Sequence, residues 1–85
     1  ALTMLNSDFT KNTANSWARR VIRDTNNRSP DSLIETLYWD GYARKPSDSE
    51  LEKLTSYFES IGDTDTAVER IAFALINSKE FIYVY

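Results

Sequence analysis

Chemistry in this chain would have to come from carboxylates, aromatic rings or arginines, because it contains neither histidine nor cysteine. Without histidine there is no ordinary general base at neutral pH and the commonest metal ligand is missing. Without cysteine there is no thiolate nucleophile, zinc thiolate, disulfide framework or covalently attached haem. Asp40 and Glu35 are the carboxylates that could serve as acid and base, but such a pair needs a defined separation in a cleft. The helical pattern sets most acids on solvent-facing positions. No catalytic, cofactor-binding or metal-binding residue is therefore assigned, and the chain alone is expected not to be an enzyme.

The aromatic residues are the better candidates for binding. Tyr38, Trp39 and Tyr42 cluster in one short stretch, with Tyr57, Tyr83 and Tyr85 elsewhere. Rings with flat apolar faces and polar tips suit a carbohydrate or a peptide, so Tyr38, Trp39 and Tyr42 are the expected ligand or partner surface. Helical cores also absorb such residues. Trp17 shares a helical face with Phe9 and Val21 and is read as a core anchor, whereas Trp39 falls off its stripe and is expected to be partly exposed.

Arg19, Arg20 and Arg23 form a local basic cluster in an otherwise acidic chain of net charge −3. Residues 1–45 hold seven Lys/Arg against five Asp/Glu, and residues 46–85 hold three against eight. The cluster is expected to solvate one helix and attract the acidic second half. A nucleic-acid-binding domain shows a dominant basic stripe and a basic isoelectric point. The isoelectric point here is near 4.8, so nucleic acid is not an expected partner.

The elements that hold these residues read as helices. Eighty-five residues make one domain, and 41% hydrophobic content with 13% aromatics is too apolar for disorder. Only two Gly and two Pro interrupt the chain. No apolar run approaches the roughly 18 residues of a membrane span, and these 85 residues show no charged-then-apolar signal-peptide pattern, which leaves localisation open. From Phe9 a stripe runs through Thr13/Ala14, Trp17/Ala18 and Val21/Ile22 at helical spacing, started by Ser7 or Asp8. Asp24–Arg28 is a polar loop. It contains the glycosylation triplet Asn27-Arg28-Ser29, which the following Pro30 makes a poor acceptor.

Ser29-Pro30 opens a second helix with Ser at the cap and Pro at the first position. Its stripe is Leu33/Ile34, Leu37/Tyr38 and Gly41/Tyr42, and the glycine suggests close approach of a neighbouring helix. Pro46 blocks its continuation. Ser47 and Glu50 then have capping-box spacing, with Pro46 and Leu51 placed as a hydrophobic staple. The third helix carries Leu51, Leu54, Phe58 and Ile61 and stops at Gly62. Asp63 to Thr66 offers several caps in succession, including a second capping box from Thr66 to Glu69. The fourth helix, with Ala67, Val68, Ile71, Ala72, Leu75 and Ile76, is the most apolar and should be the most buried.

The expected fold is all-α: a small four-helix bundle of antiparallel helices near 8–23, 30–44, 47–61 and 65–77. Short apolar terminal segments, Ala1–Leu5 and Phe81–Tyr85, are expected to pack on its core.

Three passages carry a family resemblance. The segment Ala1-Leu2-Thr3-Met4-Leu5-Asn6-Ser7-Asp8-Phe9 resembles an "ALTLLN-x-x-F" motif. Leu37 to Leu51, with Arg44, Pro46 and Glu50, is similar to "L-x-R-x-P-x-x-x-E-L". Ala74 to Val84 is similar to a closing "ALLNSNEF". The three motifs occur, in this order, in a planctomycete-type domain of unknown function found in long proteins that often also carry a cytochrome-c-like domain, which this chain thus resembles over nearly its whole length. Tyr38-Trp39-Asp40-Gly41-Tyr42 departs from the family, which is more aliphatic there.

The resemblance implies the C-terminal part of a larger cell-envelope or periplasmic protein, with any haem in a separate domain. It supplies no catalytic residues. The expected function is a non-catalytic accessory or interaction module whose partner is the rest of the parent or another protein. A carbohydrate- or peptide-binding module using exposed Tyr and Trp is the alternative.

Overall fold

The computed structural model describes residues 8–26 and 28–78. These form four helices: α1 (Asp8–Asp24), α2 (Pro30–Tyr42), α3 (Asp48–Ile61) and α4 (Thr64–Ile76). The bundle is all-α, and the expected helix boundaries hold to within two residues. The expectation that Ala1–Leu5 and Phe81–Tyr85 pack on the core falls outside the described residues.

Local chemistry accounts for each boundary. Ser29 caps α2, its hydroxyl accepting from the Ser32 N–H, with Pro30 in the first turn where no donor is lost. α2 ends earlier than Pro46 would require, because Ala43 turns into the left-handed region at φ 58° and donates its N–H to the Trp39 carbonyl at 3.2 Å. The capping box of α3 is complete: the Glu50 N–H donates to Ser47 Oγ at 3.1 Å and the Ser47 N–H to Glu50 Oε1 at 2.8 Å. Gly62, at φ 85°, closes α3. Among the successive candidates, Asp63 caps α4, accepting from the Thr66 N–H at 2.9 Å and its hydroxyl at 2.6 Å. Thr66 is thereby already inside the helix, so the second capping box at Thr66 is not formed.

Helices consecutive in the chain run antiparallel, whereas α2 and α4 run parallel. Trp17 and Arg20 of α1 reach Asp40 near the end of α2, whereas Asp24 lies beside Thr36, a turn earlier. Thr55, midway along α3, donates to Asp31 at the start of α2. Tyr42, the last residue of α2, donates its hydroxyl to the Leu75 carbonyl near the end of α4 at 3.2 Å. One pole of the bundle therefore gathers the start of α1, the end of α2, the start of α3 and the end of α4.

The core is built from Leu33, Ile34 and Leu37 of α2 and Ala67, Val68, Ile71 and Ala72 of α4, all essentially inaccessible, with Ala14, Trp17, Ala18 and Val21 of α1. Each fully buried aliphatic side chain contributes roughly 1.5–3 kcal/mol of transfer free energy. α4 is buried along its whole stripe, as its apolar sequence predicts. α3 is peripheral: of its four stripe residues only Phe58 is buried, and Leu51, Leu54 and Ile61 are half-covered against the core. On α1 the buried stripe starts at Thr10 and Ala14, not at Phe9 and Thr13. Phe9 is 74% exposed.

Candidate functional site

The displacement of Phe9 defines a second stripe on α1. Phe9, Thr13, Ser16 and Arg20 recur at i, i+4, i+7 and i+11, one helical face pointing away from the core. With Asn12, Arg23, Asp40 and the edges of Trp17 and Ile76, they line an open groove of about 690 Å3. Its centre is floored by short side chains, Thr13 and Ser16, between the Phe9 ring and the arginines. The Thr13 hydroxyl donates to the Phe9 carbonyl at 2.8 Å, which satisfies it on the helix's own backbone. At 1.5 Å per residue the face from Phe9 to Arg23 spans roughly 21 Å.

Asp40 closes one side of this groove. Its Oδ2 accepts from Trp17 Nε1 at 3.0 Å and from Arg20 Nη2 at 3.4 Å. The carboxylate that sequence offered as a candidate acid thus serves as the acceptor for a core tryptophan. Glu35 lies five residues earlier on α2, which rotates it by about 140° around the helix axis. The two carboxylates do not converge on a common cleft. Among the described residues no group of three or more acids could hold a metal ion, and no helix is long and apolar enough to cross a membrane.

The basic cluster is surface-exposed, but it does not meet the acids expected of it. Arg20 pairs with Asp40 and Arg23 with Asp24, both in the first half of the chain. Helix adjacency decides this: α2 supplies Asp40 next to α1, and Asp24 directly follows Arg23 in sequence. The pair that does join the two halves is Arg44 with Glu50. Its guanidinium forks onto both carboxylate oxygens at 3.0 and 3.1 Å.

Tyr38, Trp39 and Tyr42 do not form a common surface. Trp39 is 54% exposed, as its position off the stripe predicts, but Tyr38 and Tyr42 are in the core. Their rings meet edge to face at 5.0 Å, and Arg44 lies over both, 5.3 and 5.7 Å from the ring centres. This tyrosine pair is therefore used internally. It provides a polar-tipped core wall, with the Tyr42 hydroxyl bonded to Leu75 and the Arg44 cation stacked above.

Glu50, beneath this stack, is held well below the usual carboxylate range, at about 2. The hydrogen bond from Arg44 is the largest cause, followed by that from the Ser47 backbone N–H. The feature is architectural: it ties the end of α2 to the start of α3.

Compared with protein-family models, with curated proteins and with solved structures, the chain matches none.

The expectation that Phe9 lies on the buried stripe hides the groove on α1, where Phe9 is exposed. The available signal was Thr10: a stripe drawn from Thr10 through Ala14, Trp17, Ala18 and Val21 fits a helical period and leaves Phe9 outside it.

Proposed function

We propose that this chain is a non-catalytic helical interaction module, and that the outward face of α1 is its docking surface. One observation carries this reading. A phenylalanine stands 74% exposed on a helix whose core stripe lies elsewhere, next to a groove edged by Trp17 and Ile76. Large apolar side chains grouped at a concave surface mark interaction sites, whereas isolated ones are ordinary. The carboxylates give no comparable support for catalysis, since Asp40 is engaged by Trp17 and Glu35 faces elsewhere. The family resemblance places the module, within this proposal, in a larger protein of the cell envelope or periplasm, with the remainder of that protein or a separate protein as partner.

A display selection of random peptides on the wild-type chain, counter-selected on the Phe9→Ala variant, tests the reading. Enrichment of sequences that bind the wild type and not the variant is expected. If binders are recovered equally on both, or not at all, the α1 face is not a docking surface.

A further inference from the structure

Charge and shape in the α1 groove together specify what it would hold. We infer that the groove accepts an acidic peptide segment that carries an aliphatic or aromatic anchor; the inference rests on the docking role proposed above. The apolar part of the groove is Phe9 with the accessible edges of Trp17 and Ile76, and the trough over Thr13 and Ser16 admits a side chain between Phe9 and Arg20.

The charged part of the lining is Arg20 and Arg23 with the carboxylate Asp40, one positive group in excess, while Asp24 pairs with Arg23 from just outside the lining. The existing ion pairs leave both arginines usable. Arg20 and Asp40 are 56% and 38% exposed, and Arg23 and Asp24 are 72% and 60% exposed. Exposed pairs of this kind are weak, and a guanidinium has five N–H donors in a planar fork. A carboxylate arriving over Arg23 can be gripped without dismantling the fold. Positive groups beside an apolar seat favour an acidic amphipathic segment and disfavour a basic one through unpaired like charge.

A nucleic acid fits less well. Two arginines along roughly 21 Å of helix neutralise few phosphates.

The test uses synthetic amphipathic peptides of about twelve residues, long enough for about three helical turns. One has Leu and Phe on its apolar face and Glu on the other; the second replaces Glu by Gln and the third replaces Glu by Lys. The readout is the indole N–H signal of Trp17 in 15N-correlated NMR spectra of the full chain, told apart from that of Trp39 by a Trp39→Phe variant. The Glu peptide should shift the Trp17 signal saturably, bind about tenfold more tightly than the Gln peptide, and weaken as salt rises from about 0.05 M to about 0.5 M. Arg23→Ala and Phe9→Ala each remove an exposed side chain, so the fold should stand, and each should weaken binding severalfold.

Equal binding of the Glu and Gln peptides overturns the inference and leaves the docking role standing. Failure of all three peptides overturns the inference. Saturable binding of a single-stranded oligonucleotide at Trp17 would assign the groove to nucleic acid. A Trp17 signal that moves on dilution without peptide would assign it to a second copy of the chain. Peptide binding that appears only after residues 79–85 are deleted would assign it to the chain's own sequence. Each of these three outcomes also overturns the inference.

Discussion

The indole N–H of Trp17 donates to the carboxylate of Asp40 at 3.0 Å, joining the core of α1 to the flank of α2. The carboxylate is partly exposed, yet the ring it serves is buried. Removing it leaves a buried donor to find water at the groove edge. Asp40→Ala should therefore cost about 1–3 kcal/mol, and Asp40→Asn, which keeps an acceptor oxygen, clearly less. Urea unfolding measures the difference, and the Trp17 indole resonance should move far more in the alanine variant than in the asparagine variant.

The Arg44–Glu50 fork makes stability depend on acid. Glu50 has its pKa lowered from 4.5 to about 2 in the folded chain. A carboxyl depressed on folding stabilises the native state above its unfolded pKa, and that contribution is lost as pH falls through the folded value. Because both partners are more than a third exposed, solvent screening limits it to about 0–1 kcal/mol. The stability difference between wild type and Glu50→Gln should be constant above pH 4.5 and shrink toward pH 2. A difference that is unchanged across that interval in chemical-denaturation curves would show that the fork contributes nothing.

Two helix ends predict opposite effects of glycine and alanine. Ala43 holds φ 58°, a conformation that costs an L-residue roughly 1–2 kcal/mol and glycine almost nothing. Ala43→Gly should stabilise the protein by about 0.5–1 kcal/mol, after the entropy that glycine gives the unfolded chain. Gly62 sits at φ 85° with nothing within 4 Å of where a Cβ would stand. Gly62→Ala should cost about 1 kcal/mol or more from backbone conformation alone. Thermal unfolding of the two variants should shift in opposite directions.

Tyr42→Phe removes the hydroxyl that bonds the Leu75 carbonyl and should cost about 0.5–1.5 kcal/mol while sparing the ring packing. Leu33→Ala, at a fully buried position, should cost about 2–5 kcal/mol. If the tyrosine change cost as much as the leucine change, the hydroxyl would be holding more than one carbonyl.

The helices were legible because their ends carry local chemistry. Ser29-Pro30, Ser47 with Glu50, and Gly62 each act through neighbours within a few residues, so spacing alone identifies them. Ala43 was not legible as a helix end, since alanine carries no left-handed preference and tertiary contacts impose the turn. The functional surface was harder for a related reason. Tyr38 and Tyr42 are polar-tipped rings that sequence cannot sort between core and surface; Arg44 stacking and the Leu75 carbonyl, both set by tertiary packing, put them inside. For Phe9 the local pattern is ambiguous, because Phe9–Thr13 and Thr10–Ala14 both fit a helical period. The position of α4 beside α1 selects the second, which the later stripe residues Trp17, Ala18 and Val21 also continue.

Phe9 and Ile76 edge the same groove, one at the start of α1 and the other at the end of α4. α1 begins and α4 ends at the pole where the Phe9 end of the groove lies. A segment tethered there by a short flexible linker meets the groove at a local concentration on the millimolar scale. An occupant on the same polypeptide would need only a weak intrinsic affinity to stay seated, and a free competitor would have to bind far more tightly to displace it. Under the docking role proposed above, the placement of the groove would set a threshold for exchange, tunable by linker length without altering one contact residue.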